Sequence, residues 1–244
     1  VAILTNKQKY YIMGLSSNTV IHFTKTLSSL KGILTDNFHV KYCREIILSK
    51  LREMDIIIPM VSFCDIPFSQ IINHIKNYGS YGIGLKKSWA EKNGLNPVLY
   101  LEKSSILSTN IIEHLFDNLK ENKNSISNFT EAEKYSFDFF RYIKNYQGNL
   151  TRINKKVIMD YRFSDEREWR FVLDPKLNYP IFGNLKNGAE EKIKYAKTFY
   201  NKKIENERLK FMPEDINYII IKKEVERDNL ISTLEKIKGK YAFE

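Results

Sequence analysis

The spacing of apolar residues changes several times along the chain, and each change marks an element. VIHFT (20–24) reads as a short half-buried strand in which Val20, His22 and Thr24 share one face and Ile21 and Phe23 the other. Leu27, Leu30 and Leu34 then recur at helical spacing. DIIIPMVSFCD (55–65) is a second apolar strand, and Pro59 inside it favours an edge position or a bulge. DIPFSQIINHIKNYG predicts the clearest helix: Asp65 to cap it, Pro67 in the first turn, and Gly79 to stop it. Phe68, Ile71, Ile72 and Ile75 form its buried stripe.

YGIGL and NPVLYLEKS follow as strands around a short helix, KKSWAEKNG. From about 106 to 147 the pattern is mainly helical, with Phe137, Phe140 and Ile143 in helical phase. Within it the polar stretch NLKENKNSISN (118–128) reads as an exposed connection. DYRFSDEREWRFVLD (160–174) returns to a two-residue period, and the tail offers a strand at Tyr218–Ile221 and an amphipathic helix at Leu230–Ile237. No repeat shows. Mixed strands and helices of this kind predict an α+β protein, residues 1–244 as a single domain with a helical insertion around 106–147.

Composition narrows the class. Hydrophobic residues at 43% and aromatics at 13% suffice for a real core, while no apolar run approaches the roughly 20 residues that span a bilayer. VAILTNKQKYYIMGL carries lysines where a secretory leader needs an apolar core. Two cysteines, Cys43 and Cys64, are too few for a disulfide framework and lack histidines at zinc spacing. A soluble cytoplasmic protein without membrane contact or bound metal is the expectation. The excess of 39 Lys+Arg over 29 Asp+Glu, +10 in all, favours a polyanionic contact such as nucleic acid. Richness in Lys, Ile, Asn and Tyr also fits an AT-rich coding sequence, so charge alone leaves that partner open.

Strand faces locate the candidate chemistry. Glu166, Glu168 and Arg170 share a face opposite Trp169, Phe171 and Leu173. Three alternating charges read first as a surface ion-pair ladder and, if the face is concave, as a ligand grip. Met60, Ser62 and Cys64 share another face, but no base stands near Cys64 in sequence to make it a nucleophile. YGSYGIGL reads either as a helix cap followed by a strand pressed on its neighbour, or as a tyrosine edge on which a flat ring stacks. His39, His74 and His114 suggest no site. His22 is either a satisfied core histidine or one wall of a cleft.

VIHFTKTLSSLKGIL, IPMVSFCDIPFSQIINHIKNYGSYGIGL, NPVLYL and EREWRF, in that order, resemble the AbiGi family of bacterial abortive phage-infection proteins, labelled antitoxins. More distantly, the histidine strand running into TLSSLKGIL, the element IPMVSFCDIP and the late Glu-x-Glu of EREWR resemble DarT-type and PARP-like ADP-ribosyltransferases. The second resemblance implies an ADP-ribosyltransferase-like split β-sheet with NAD as substrate in its cleft. There His22 and Thr24 would hold a ribose and the nicotinamide end, with Ser62 on the second cleft strand. Tyr78 or Tyr81 would stack on nicotinamide, and Glu168 would be the catalytic carboxylate, stabilising an oxocarbenium-like state. Glu166 would orient the acceptor, and Arg170 would hold Glu168 ionised or contact the pyrophosphate. Phe23 stands where those enzymes keep a glycine after the strand histidine. Against this transferase stand a non-catalytic partner of a cognate defence-system toxin and a nucleic-acid-binding module.

Overall fold

The computed structural model describes residues 17–121, 130–151, 157–174, 182–183 and 189–241. Its strands in chain order are β1 (Thr19–Thr24), β2 (Phe38–His39), β3 (Lys41–Leu48), β4 (Glu53–Cys64), β5 (Tyr81–Lys86), β6 (Asn96–Pro97), β7 (Leu99–Leu101), β8 (Ile143–Asn145), β9 (Gln147–Thr151), β10 (Val157–Arg162), β11 (Glu168–Val172), β12 (Phe182–Gly183), β13 (Arg208–Leu209) and β14 (Ile216–Ile220). The helices are α1 (Leu27–Asp36), α2 (Ile71–Tyr78), α3 (Lys87–Lys92), α4 (Ile106–Glu121), α5 (Glu131–Asp138), α6 (Ala189–Lys203) and α7 (Arg227–Tyr241). This is a mixed α+β protein.

The organising element is β4, whose near-continuous apolar run is buried from Met54 to Val61. A strand covered on both faces reads in this way rather than as an alternation. Its two edges are used differently. On one, β11 pairs from Glu168↔Cys64 to Val172↔Met60, and β12 follows at Phe182↔Ile57. On the other, β3 pairs from Lys41↔Met60 to Leu48↔Glu53, and β1 meets β4 only at Ile21↔Cys64. That edge therefore forks between Met60 and Cys64. Beyond β1 the sheet continues antiparallel through β5 to β14.

Pro59 thus sits in a central strand, not at an edge or a bulge. Its missing N–H costs no ladder bond, because among the described residues Ile58 and Pro59 fall in the gap between β11 and β12. Opposite it, the Tyr42 amide turns away and donates to Asn201 Oδ1 at 2.8 Å. This bond lays α6 along the outer edge of β3, covering an edge that would otherwise stay open.

Two apolar layers enclose the sheet. On the first face, Leu30 and Leu34 of α1, Trp89 and Ala90 of α3, Ile193 of α6 and Leu230 of α7 pack over Val20, Ile57, Val61, Phe63 and Ile83. On the second, Ile112 and Leu115 of α4, with Phe140 and Ile143, cover Ile47, Met54, Ile56, Ile58, Met60 and Val172. Further along that face, Ile66 and Ile71 pack on Ile21. The helical insertion ends earlier than its sequence pattern predicts: a tight turn at Phe139–Tyr142 leads straight into β8, which pairs parallel with β7. Residues 122–129, most of the polar connection, and the Phe137 side chain lie outside what is described.

Two details of the α2 region differ from expectation. Asp65 does not cap the helix; its carboxylate accepts from the Ser17 amide at 3.1 Å and from Lys87 Nζ at 2.7 Å, tying strand ends together. Ile71 is buried and Ile75 packs inward, but Phe68 and Ile72 are 66% and 65% exposed. Gly79 does end the helix, at φ 141°, where a Cβ would lie 2.2 Å from the Thr24 carbonyl oxygen. Gly84 of β5 lets the Tyr218 ring lie on the strand, within 2.6 Å of where a Cβ would stand. YGSYGIGL is thus a cap followed by a strand pressed against its neighbours.

Candidate functional site

Residues directly paired across antiparallel strands point to the same side of a sheet. The row Ile21–Cys64–Glu168 therefore occupies one face. One step along each strand, His22, Phe63 and Trp169 occupy the other, and the His22 ring meets Phe63 edge-on at 5.6 Å. The register brings the two segments, nearly 150 positions apart, together in one sheet and aims their key side chains to opposite sides. The candidate residues fall into two groups.

The first-face group is His22, Thr24 and Tyr81. His22 lies in the fork of β4, where Nδ1 is 2.9 Å from the Ser62 carbonyl oxygen. A carbonyl only accepts, so Nδ1 carries the proton and replaces the ladder donor that is missing where β1 diverges. The ring packs edge-on against Phe38 and Phe63, and burial, opposed by this one hydrogen bond, lowers its pKa below 6.5. The half-buried His22 ring is thus held at the fork by one hydrogen bond and two edge-on aromatic contacts. Thr24 pairs with Tyr81, whose hydroxyl donates to Glu226 Oε1 at 2.7 Å.

The second-face group is Ser62, Tyr78, Glu166, Glu168 and Arg170; Ser62 Oγ donates to Met60 Sδ at 3.7 Å, and the other four join a buried ion network. The 160–174 stretch is not one strand: β10 ends at Arg162, a tight turn spans Phe163–Glu166, and Arg167 adopts φ 45°. That break swings Glu166 back alongside Glu168. Arg170 Nε donates to Glu168 Oε1 at 2.6 Å, and Lys144 Nζ donates to Glu168 Oε2 at 2.6 Å. Lys144 also lies 3.5 Å from Glu166 Oε2, and Tyr78 donates its hydroxyl to Glu166 Oε1. The Arg170 Nη1 group donates to the Arg141 and Ile143 carbonyls at 2.9 and 3.3 Å, and Nη2 pairs with Glu45 Oε1 at 3.0 Å. Tyr100 accepts the Glu168 amide at 2.8 Å.

None of this is a surface ladder, because Glu166, Glu168 and Arg170 are 3%, 3% and 0% exposed. The insertion covers them. Burial would raise the Glu168 pKa, but Arg170 and Lys144 overcome it and hold the carboxyl well below the usual range. Burial would likewise discharge Lys144 and Arg170, and the surrounding glutamates, Glu168 foremost, keep both charged. Tyr78 stays a protonated donor, its phenol pushed far up by burial and then by Glu166. Arg170 holds Glu168 ionised and clamps the exit of the insertion to β11. The Cys64 thiol, paired with Glu168, is raised well above its ordinary value by burial and then by Glu166 and Glu168, so it stays un-ionised.

Sequence reasoning missed Lys144 and Glu45. Lys144 gave only the weak signal of a lone cation between Ile143 and Asn145, and Glu45 looked like any polar residue of an alternating strand. Among the described residues, no group of three or more His, Cys, Asp or Glu is placed to hold a metal ion, and no helix is long and apolar enough to cross a membrane.

Fold and site together define an α+β protein whose conspicuous charges are spent internally, on joining a helical insertion to a forked central sheet. Residues 36–222 match the family model described as "Putative abortive phage resistance protein AbiGi, antitoxin". A relative from Lactococcus lactis subsp. cremoris, "Abortive phage resistance protein AbiGi", is 31% identical over 201 residues, covering 75% of this chain and 79% of the relative. The chain belongs to the AbiGi family of abortive phage resistance proteins. No solved structure matches it.

Proposed function

We propose that the chain serves abortive phage resistance as a non-catalytic antitoxin that binds a cognate toxin protein of its defence system. One observation carries this: both Glu168 oxygens are taken by Arg170 and Lys144 inside the protein, on the sheet face opposite His22. A carboxylate so engaged is a poor stabiliser of a developing oxocarbenium ion. The family description includes the word antitoxin, and an antitoxin acts on a toxin. Phe68, exposed with its ring edge-on to the half-buried Tyr218, and the exposed Ile72 one helical turn on supply an apolar contact for it.

Co-expression with the cognate toxin tests this. Wild type and Glu168→Gln are expected to restore growth alike, and Phe68→Asp/Ile72→Asp to lose rescue while folding normally. Loss of rescue in a folded Glu168→Gln protein overturns the proposal.

A second function is favoured by the fork itself: β1 and β3 diverge along one edge of β4, as in an ADP-ribosyltransferase-like split sheet. In that case NAD is the substrate and Glu168 the catalytic group, after release from Arg170 and Lys144. Incubation with labelled NAD and bacterial lysate decides. Label transfer by wild type that vanishes in Glu168→Gln establishes the transferase, and absence of transfer leaves the antitoxin.

A further inference from the structure

Helix α6 has two contrasting sides. Inward, Ile193 is buried, and Ala196 and Tyr200 pack on the first-face core. Asn201 holds the β3 edge, so the helix is firmly seated. Outward, Tyr195 and Phe199 are 74% and 45% exposed, one helical turn apart. Their rings lie nearly parallel, 11° apart, with centroids separated by 6.4 Å.

Folding leaves most of Tyr195 and nearly half of Phe199 in water, so much of this aromatic surface contributes little to the core. Their surroundings are cationic. The helix, AEEKIKYAKTFYNKK, carries Lys192, Lys194, Lys197, Lys202 and Lys203 against Glu190 and Glu191. Lys192, Tyr195, Phe199 and the Lys202–Lys203 pair recur at three- and four-residue steps along one stripe. Lys203 Nζ sits 4.5 Å from the Phe199 ring centroid, and exposed Lys41 leads into the strand that α6 covers.

We infer that the outer face of α6 docks single-stranded nucleic acid, with Tyr195 and Phe199 as base-stacking platforms and the lysines as phosphate-binding groups. Alternating π surfaces and cations are what a flexible polyanion with flat bases requires. An acidic protein segment would meet the lysines but gain little from the parallel, partly exposed rings. With five lysines against two glutamates, the helix carries part of the net +10 that composition alone could not place. It is separate from the α2 face and from the ion network, so its failure leaves the antitoxin proposal untouched.

The test is fluorescence anisotropy of the full chain with labelled 12-mer oligouridylate and oligothymidylate at several salt concentrations, with polyglutamate as control. Both oligonucleotides are expected to bind, and a preference between them identifies RNA or DNA as the target. Tyr195→Ala/Phe199→Ala should weaken binding by about tenfold or more without changing its salt dependence. Lys202→Gln/Lys203→Gln should weaken it and flatten the log–log salt slope by about 0.7 for each phosphate no longer neutralised. Both variants change exposed groups, so an unaltered melting temperature confirms that the fold is intact. Absence of oligonucleotide binding at low salt, indifference to the aromatic pair, or preferential binding of polyglutamate each overturns the inference.

Discussion

Arg170 donates to Glu168 across 2.6 Å from a guanidinium that has no solvent exposure. The same guanidinium reaches the Arg141 and Ile143 carbonyls and Glu45, so one side chain joins β11, β3 and the exit of the insertion. Removing one partner of a buried pair strands the other's charge. Arg170→Met is therefore expected to cost about 3–5 kcal/mol in urea unfolding. In a double-mutant cycle with Glu168→Gln the two changes should be strongly non-additive, because the Glu168 charge that Arg170→Met would otherwise strand is then already gone. Additive costs would mean that the pair does not act as a unit.

Acid is expected to weaken the protein in two separate windows. The His22 pKa is lowered from 6.5, chiefly by burial, so below 6.5 the unfolded chain takes up a proton that the folded one refuses. Stability therefore falls as pH drops from 6.5 towards the folded value. Glu168 acts in the same direction at lower pH: burial raises its pKa, but Arg170 and Lys144 carry it far below 4.5. Its stabilisation is complete above 4.5 and is lost as pH falls towards the folded value. Urea midpoints measured from pH 8 to 3 should show both declines, with His22→Gln abolishing the first and Glu168→Gln the second. A wild-type midpoint that stays constant between pH 7 and 5.5 would contradict the assignment of His22.

These residues also mark how far the sequence could be read. The two-residue period of EREWRF separates Glu168 and Arg170 from Trp169 and Phe171, and the structure keeps that separation. Period gives only the parity of one strand. Whether a face meets water depends on what covers it, and here the cover is an insertion some 25 residues upstream. The relation of His22 to Glu168 was hidden for a related reason. Each strand's faces were legible, but their common side depends on the register Ile21↔Cys64↔Glu168, which no local pattern encodes. The α2 stripe failed differently: Phe68 and Ile72 have helical spacing with Ile71 and Ile75, yet the helix is too short and too peripheral to bury both sides. AbiGi membership needed none of this, since it rests on segments and their order.

The two glycines at close approaches should respond differently to a methyl group. At Gly79 a Cβ would meet a backbone oxygen, Thr24 O at 2.2 Å, at a φ that L-residues rarely adopt. At Gly84 it would meet the Tyr218 ring at 2.6 Å and Thr19 Cγ2 at 2.9 Å, which are side-chain atoms. Gly84→Ala should cost about 1–3 kcal/mol, the usual range for overpacking, and be partly rescued by Tyr218→Ala. Gly79→Ala should cost at least as much and be rescued by no side-chain deletion. Thermal melts of the three variants and of Gly84→Ala/Tyr218→Ala decide this, and a silent Gly79→Ala would mean that the helix end is not held against the Thr24 carbonyl.

Cys64 and Cys43 are free thiols that should nevertheless be inert in the native protein. Burial raises both pKa values; Glu166 and Glu168 raise that of Cys64 further, whereas at Cys43 the nearby Lys197 partly opposes the rise. Only the thiolate reacts with a disulfide reagent, so at pH 8 labelling should be slow without denaturant and complete within seconds in urea. Because Cys64 lies beside the Glu168 network, its native labelling should follow opening of the fold. Arg170→Met should therefore speed it in proportion to the stability it removes, provided opening and reclosing are fast against the chemistry. Rapid Cys64 labelling in the intact wild type, at a rate Arg170→Met does not change, would show the network open to solvent and remove the physical ground for treating Glu168 as a structural carboxylate.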